Sequence, residues 1–439
     1  MQKPFNQDSF WSRISYITVL ALLTAFGPVC TDVYLPCVPE ITQFFKTDPS
    51  AVQLTLTSCF LGIAMGQFFI GPLSDAIGRR GPLLISLVLF AVSSVLCAFA
   101  TGIPMMVACR FLQGLAGGGG LVLARAMAVD VFRGSELTKT MSVLMGIHSI
   151  APVVGPLAGS LIISCCPWEY IFFAMGLWGL LLAALSFFRA PETYVPENAG
   201  DSLSRRLSAN LTAPLQEFRN GNFITLVLAS GLMTAGFFGF LSASPYILQK
   251  TYGFTPGGYA LFFSLNSSLL VLASIVTGIL VRKFPEPAIV KTSLAVLLAP
   301  AAVIFAVALL QPQNPVWFLC GVMCYTFISV IFNTASFTVI MNMRKGPSGA
   351  ASGIFGVLVY TTGSLAMPLM GIMGDTSIVP LGCDMLFTNI VALAIFVWVL
   401  ARCGNQGEHG DQEKNGGSAG GEPGKESPVP EGEPRKEAP

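Results

Sequence analysis

Charged side chains are scarce: Asp, Glu, Lys and Arg make up 11% of the 439 residues, and His occurs only 2 times. A water-soluble domain carries about 25% charge, so water cannot surround this chain on all sides. The chemistry that would mark an enzyme or a pump driven by ATP is missing as well. No G-x-x-x-x-G-K-[ST] sequence is present, so no loop of the kind that cradles nucleotide phosphates supplies energy directly. His, Cys and carboxylates are not clustered at ligand spacing, so neither a metal nor another cofactor is called for. A net charge of +1 offers nothing to a polyanion and excludes a nucleic-acid partner. The 11 Cys are odd in number, and most lie inside apolar runs, as Cys97, Cys109, Cys320 and Cys324 do. That is not a secreted disulfide framework, and they read as small core hydrophobes.

What is present is apolar sequence, 53% of the chain. It falls into twelve runs bounded by charge, Pro or Gly, with approximate cores at 14–35, 52–73, 82–100, 104–124, 141–164, 170–188, 223–247, 259–281, 290–310, 316–341, 350–373 and 385–400. Each is long enough, or nearly so, to cross about 30 Å of hydrocarbon as a helix. Strands of a membrane barrel would instead alternate over about 10 residues. The first run is too long for a signal peptide and lacks a small-residue cleavage site, so it reads as the first span.

Lys and Arg set the expected orientation. The N-terminal tail and the loops on its side hold sixteen, including Arg13, Arg79, Arg80, Arg125, Arg133 and Arg344, while the opposite face has only Lys46 and Lys250. That bias predicts a cytoplasmic N-terminus, and an even number of spans returns the C-terminus to the same side. The longest internal loop divides the spans six and six. The reading is an all-α membrane protein: a six-helix half over 1–189, a cytoplasmic loop over 190–221, a second six-helix half over 222–403 and a disordered cytoplasmic tail over 404–439. The tail is Gly, Glu, Pro and Lys with almost nothing to bury. A weak internal echo pairs Asp32-Val33-Tyr34-Leu35-Pro36 in span 1 with Ser242-Ala243-Ser244-Pro245-Tyr246 in span 7. Two packed halves place a substrate site between them.

Between spans 2 and 3 lies Gly71-Pro72-Leu73-Ser74-Asp75-Ala76-Ile77-Gly78-Arg79-Arg80. It resembles the major facilitator superfamily signature G-x-L-x-D-R-x-G-R-R/K, with Ala76 where the family carries Arg. Physically it is a latch. Gly71 allows close helix approach, and Gly78 allows the turn. Asp75 can face the positive end of span 11, which starts after Pro347-Ser348-Gly349, and Arg79 or Arg80 can pair with Asp130. The resemblance implies that these contacts hold the cytoplasmic side closed.

Span 4 contains Arg110-Phe111-Leu112-Gln113-Gly114, similar to the family's R-x-x-Q-G motif. A charge deep in a span costs about 3 kcal/mol or more, so Arg110 should face the bundle interior rather than snorkel outward. In the family it supports proton coupling by biasing a nearby carboxylate. Span 5 contains Pro152-Val153-Val154-Gly155-Pro156-Leu157-Ala158-Gly159, which resembles the antiporter motif with its G-P-x-x-G core. His148, one turn upstream, reads as hydrogen-bonded to a neighbour. Asp32 is the candidate coupling carboxylate, at mid-span if span 1 continues past Pro36 and near the surface if it does not. Asp32-Val33-Tyr34-Leu35-Pro36, with the segments already quoted, looks like the bicyclomycin and chloramphenicol resistance (Bcr/CflA) branch. That resemblance implies a secondary exporter in the bacterial inner membrane, not an enzyme, moving small amphipathic compounds as a monomer by proton antiport. Asp32, Arg110, Tyr34 and Gln113 would form its coupling and substrate site. An uptake permease and a non-transporting receptor or scaffold are the competing readings.

Overall fold

The computed structural model describes residues 10–195, 216–344, 348–374 and 376–416, all in helices and their connections, with no strand among them. Twelve helical segments are long and apolar enough to cross a membrane. In chain order, spans 1 to 6 are Ser12–Phe44, Pro49–Ile77, Arg80–Ala98, Ile103–Val131, Gly134–Cys165 and Glu169–Arg189. Spans 7 to 12 are Gly221–Thr251, Pro256–Leu280, Glu286–Leu310, Val316–Asn342, Ala351–Gly371 and Val379–Arg402. The shortest has 19 residues, which at 1.5 Å per residue is about the hydrocarbon thickness of a bilayer.

Local sequence sets the ends. Span 2 opens on Pro49, whose missing N–H is no loss in a first turn, and closes on Gly78 at φ 100°, a value that favours glycine. Span 8 opens on Thr255, whose hydroxyl accepts from the Gly258 N–H at 3.1 Å, followed by Pro256. Span 1 is interrupted. Its helix Phe26–Asp32 gives way to a 3-10 turn, Leu35–Cys37, before Val38–Phe44 resumes. Pro36 and Pro39 supply no N–H to the ladder, which accounts for the break and for the continuation that the sequence left open.

Several expected boundaries move outward, because helices outlast the apolar runs that announce them. Span 5 begins at Gly134, not near 141, and its polar first turn is held by Glu136 to Arg13 at 2.8 Å. Span 4 continues to Val131, so Arg125 lies inside a helix and not in a loop. The helix of span 12 runs to Gly416, past the expected start of the tail at 404, while 417–439 lie outside the described residues. Most of the expected central loop, 196–215, lies outside them too.

Residues up to Phe396 form one compact unit, and those from Val397 another, in which the Arg402 guanidinium sits 5.7 Å from the Trp398 ring centre. Within the first unit, the ends of spans 1 and 2 around Asp48 bond to spans 7 and 11. Thr42 and Tyr246 share a hydroxyl hydrogen bond at 2.6 Å, and Gln249 donates to the Pro36 carbonyl at 3.1 Å. The Thr57 hydroxyl donates to the Ser364 carbonyl at 3.0 Å. Spans 5 and 8 meet where Ser264 donates to the Val153 carbonyl at 2.6 Å.

Candidate functional site

Asp32 ends the helix before the break in span 1 and is 5% exposed. Phe44 is twelve residues further on, about 18 Å along a helix, so the carboxylate lies well inside the span. It accepts a hydrogen bond from the Thr31 hydroxyl at 2.8 Å and forms no ion pair among the described residues. Span 5 closes on it. A Cβ added to Gly155 would lie 3.2 Å from the Asp32 Cβ, and one added to Gly159 would overlap the Val33 carbonyl oxygen. The segment from Pro152 to Gly159, with Pro152 and Pro156 inside the helix, therefore packs against the carboxylate's own backbone. Two residues of the last six spans, Tyr259 and Tyr360, lie within electrostatic reach of Asp32.

Arg110 is fully buried and does not snorkel. Its Nη1 donates to the Cys30 carbonyl at 2.7 Å and to Gln113 Oε1 at 2.5 Å. The guanidinium lies 4.6 Å from the Tyr34 ring centre and 5.8 Å from that of Phe172, within the range of cation–π attraction. Gln113 passes the network on to the Ser94 hydroxyl at 2.7 Å, and Tyr34 shares a bond with Thr55 at 2.9 Å. Arg110, Gln113 and Tyr34 thus form one cluster. Asp32 stands beside that cluster, linked to Arg110 by two residues of span 1 backbone and not by a direct contact. Nε and Nη2 of Arg110 have no hydrogen-bond partner.

Other residues near this site were not legible as site residues. Phe60, Phe238 and Tyr360 come from spans 2, 7 and 11, with ring centres 4.5 to 6.0 Å apart, and form an aromatic wall across the two groups of six spans. Arg125 sits within electrostatic reach of Tyr360, and its buried Nε has no partner. His148, as expected, is bonded to a neighbour, with Nδ1 2.8 Å from the Thr24 carbonyl.

The turn between spans 2 and 3 is a second cluster. Arg79, not Arg80, pairs with Asp130, its Nε lying 3.0 Å from Oδ2. Arg79 Nη1 also meets Asp75 at 2.5 Å, so Asp75 is engaged one turn away on its own helix end, where its side chain is 44% exposed. The expected onset of span 11, after Pro347-Ser348-Gly349, includes residue 347, which lies outside the described residues. Burial pulls the Arg79 proton affinity down, but Asp130 and Asp75 outweigh it and hold the guanidinium above its ordinary range. Arg80 turns away to the Phe187 carbonyl, at 2.8 Å, and lies over the Phe187 ring. Ala76, at the family's Arg position, is buried.

Glu192, just beyond span 6, joins this cluster. Its carboxylate accepts from the backbone N–H groups of Arg79 at 2.7 Å and Arg80 at 3.1 Å, where the first turn of span 3 has unpaired donors. A Cβ at Gly78 would stand 2.7 Å from that carboxylate, so the glycine is required for room as well as for its positive φ. Thr193 bonds Asp130 at 3.0 Å, and the Tyr194 ring centre lies 4.8 Å from the Arg79 guanidinium. The Arg79 N–H bond is part-buried and the Arg80 N–H bond exposed, so stranding these donors costs less than the about 1–3 kcal/mol of a fully buried one. Glu192→Ala is therefore expected to lower the unfolding midpoint of the purified protein, with Glu192→Gln in between. Midpoints equal to wild type in both variants would show that the carboxylate contributes no stability.

Twelve helical segments long and apolar enough to cross a membrane, with Asp32 and Arg110 buried among them, define a polytopic membrane protein. The chain matches the Major Facilitator Superfamily model over residues 20–368 and belongs to that family. It is 33% identical over 400 residues to an uncharacterized MFS-type transporter, YdgK, of Bacillus subtilis (strain 168), covering 89% of this chain and 97% of the relative. It is 27% identical to a bicyclomycin resistance protein homolog of Haemophilus influenzae, covering 88% and 95% respectively. These relatives agree with the resemblance to the Bcr/CflA branch and with a multi-pass protein of the bacterial inner membrane. Among solved structures, a D-xylose-proton symporter superposes with TM-score 0.70 at 16% identity, over 87% of this chain and 97% of that one, which bears on the fold alone.

Proposed function

We propose that the protein exports small amphipathic compounds, drugs or metabolites, in exchange for protons, as a monomer working by alternating access. The halves 1–189 and 222–403 would rock about the interior site. The observation that carries the reading is Asp32: a carboxylate well inside span 1, free of any ion pair among the described residues, packed against Gly155 of span 5 and within electrostatic reach of Tyr259 and Tyr360. Such a group can hold a proton in one state and, once ionised, favour a substrate in the other. The wall of Phe60, Phe238 and Tyr360 suits an apolar or aromatic substrate face. The Lys and Arg imbalance between the two sides survives the move of Arg125 into span 4 and supports cytoplasmic termini. The Arg79–Asp130–Glu192 cluster then lies at the cytoplasmic end.

One proton crossing about 100 mV supplies roughly 2.3 kcal/mol, near 50-fold accumulation. The test is a susceptibility panel in a bacterial host stripped of its own efflux pumps, with and without the chain. Expression should raise tolerance to several amphipathic compounds, and a protonophore should abolish their efflux from the cells. A panel unchanged by expression would contradict export.

A further inference from the structure

A second carboxylate lies inside the last six spans. Asp384 is five residues past the start of span 12 at Val379, about 7.5 Å along the helix. Its Oδ2 is buried and accepts no hydrogen bond, and the carboxylate forms no ion pair among the described residues. Buried polar atoms in folded proteins are nearly always partnered, so an exception calls for a cause. A second exception stands beside it. Tyr325 of span 10 is fully buried, its hydroxyl is also without a partner, and it lies within electrostatic reach of Asp384.

Both groups project at one turn of span 7. A Cβ on Gly239 would lie 2.9 Å from Asp384 Oδ2, and one on Gly236 would overlap the Tyr325 hydroxyl oxygen. The bare backbone at these glycines is what makes room for the two polar groups. Beside the same two glycines, the turn Met367–Gly371 presents Met370 at Gly239, and span 12 adds Met385 at Gly236. Tyr325 is the titratable side chain that shares this turn of span 7 with Asp384. The buried Oδ2 of an ionised carboxylate has no donor here, which disfavours the charged form. A protonated carboxyl is neutral and avoids that cost.

Span 7 also connects this pocket to the first six spans. One turn beyond Gly239, the Ser242 carbonyl accepts from Gln53 Nε2 at 3.4 Å, and Tyr246 bonds Thr42. A rearrangement of span 7 against span 2 thus reaches both walls of the pocket.

We infer that Asp384 is a second proton-exchanging carboxylate of the transport cycle, positioned with Tyr325 against the Gly236–Gly239 turn, as Asp32 is against Gly155 and Gly159. The inference rests on the proton-driven reading, but its test separates the two. Purified full-length protein is examined by pH-difference infrared spectroscopy in the protonated-carboxyl region. Wild type should show two buried-carboxyl bands, one lost in Asp32→Asn and the other in Asp384→Asn. Asp384→Glu should keep the second band at a shifted frequency, and Tyr325→Phe should shift it in the native acid, neither of which a merely structural role would produce. The Glu and Phe variants keep the test decisive if the Asn variant fails to fold. If Asp32→Asn removes a band and none responds to changes at position 384 or 325, Asp384 is not a proton carrier and the Asp32 reading stands. If no band depends on either residue, both fail.

Discussion

Replacing Asp32 with Asn is expected to abolish export against a gradient while some substrate binding by the purified protein remains. The amide has nearly the shape of the acid and can still accept from the Thr31 hydroxyl, now 2.8 Å from the carboxylate. It cannot release or take up a proton. Packing against Gly155 and Gly159 involves the Asp32 Cβ and the Val33 carbonyl, which the substitution leaves in place. Downhill exchange of substrate should persist, because that requires only the conformational cycle. Uphill export by this variant at the wild-type rate would remove Asp32 from the coupling mechanism.

Arg110→Ala is expected to lower transport at least tenfold without loss of folded protein from the membrane. The guanidinium ties span 4 to span 1 through the Cys30 carbonyl and lies against the Tyr34 and Phe172 rings. Hydrogen bonds to a charged group contribute about 1.5–3 kcal/mol each, and a desolvated cation–π contact about 2. Removing the residue also removes the cost of a buried charge, so overall stability changes far less than those contacts suggest. What is lost is the fixed position of the helix that ends at Asp32. Lys should recover only part of the activity, because a single ammonium cannot reproduce a planar fork that reaches Cys30, Gln113 and two ring faces together. Full transport by the Ala variant would mean that this cluster serves packing alone.

The apolar runs announced the spans because a lipid-crossing helix is dictated by composition over about 20 residues, a signal that needs no tertiary knowledge. Helix ends were less legible, and two charged residues inside spans were missed for that reason. Arg125 and Asp384 both sit where an apolar run stops short of the helix that contains it, so the first read as a loop charge and the second as lying outside span 12. The burial of Arg110 was legible from the cost of a charge in a span. Its separation from Asp32 was not, since it depends on the break at Pro36 and on which face of span 4 meets span 1. Glu192 gave no sign in the sequence. Its role depends on a chain segment after span 6 folding back to a helix start more than a hundred residues earlier, a long-range contact that only coordinates reveal. The closeness of Gly155 and Gly159 to Asp32 is of the same kind: the motif was readable, its partner was not.

The claim of proton-driven export is tested most directly in proteoliposomes holding the purified protein and the panel compound whose tolerance shifts most. A pH gradient is imposed across the vesicle wall with the membrane potential clamped. The compound should move uphill towards the acidic side, reverse direction when the gradient is reversed, and stop when a protonophore collapses it. Movement that merely equalises concentration, identical with and without the gradient, would contradict proton coupling and leave a passive facilitator in its place.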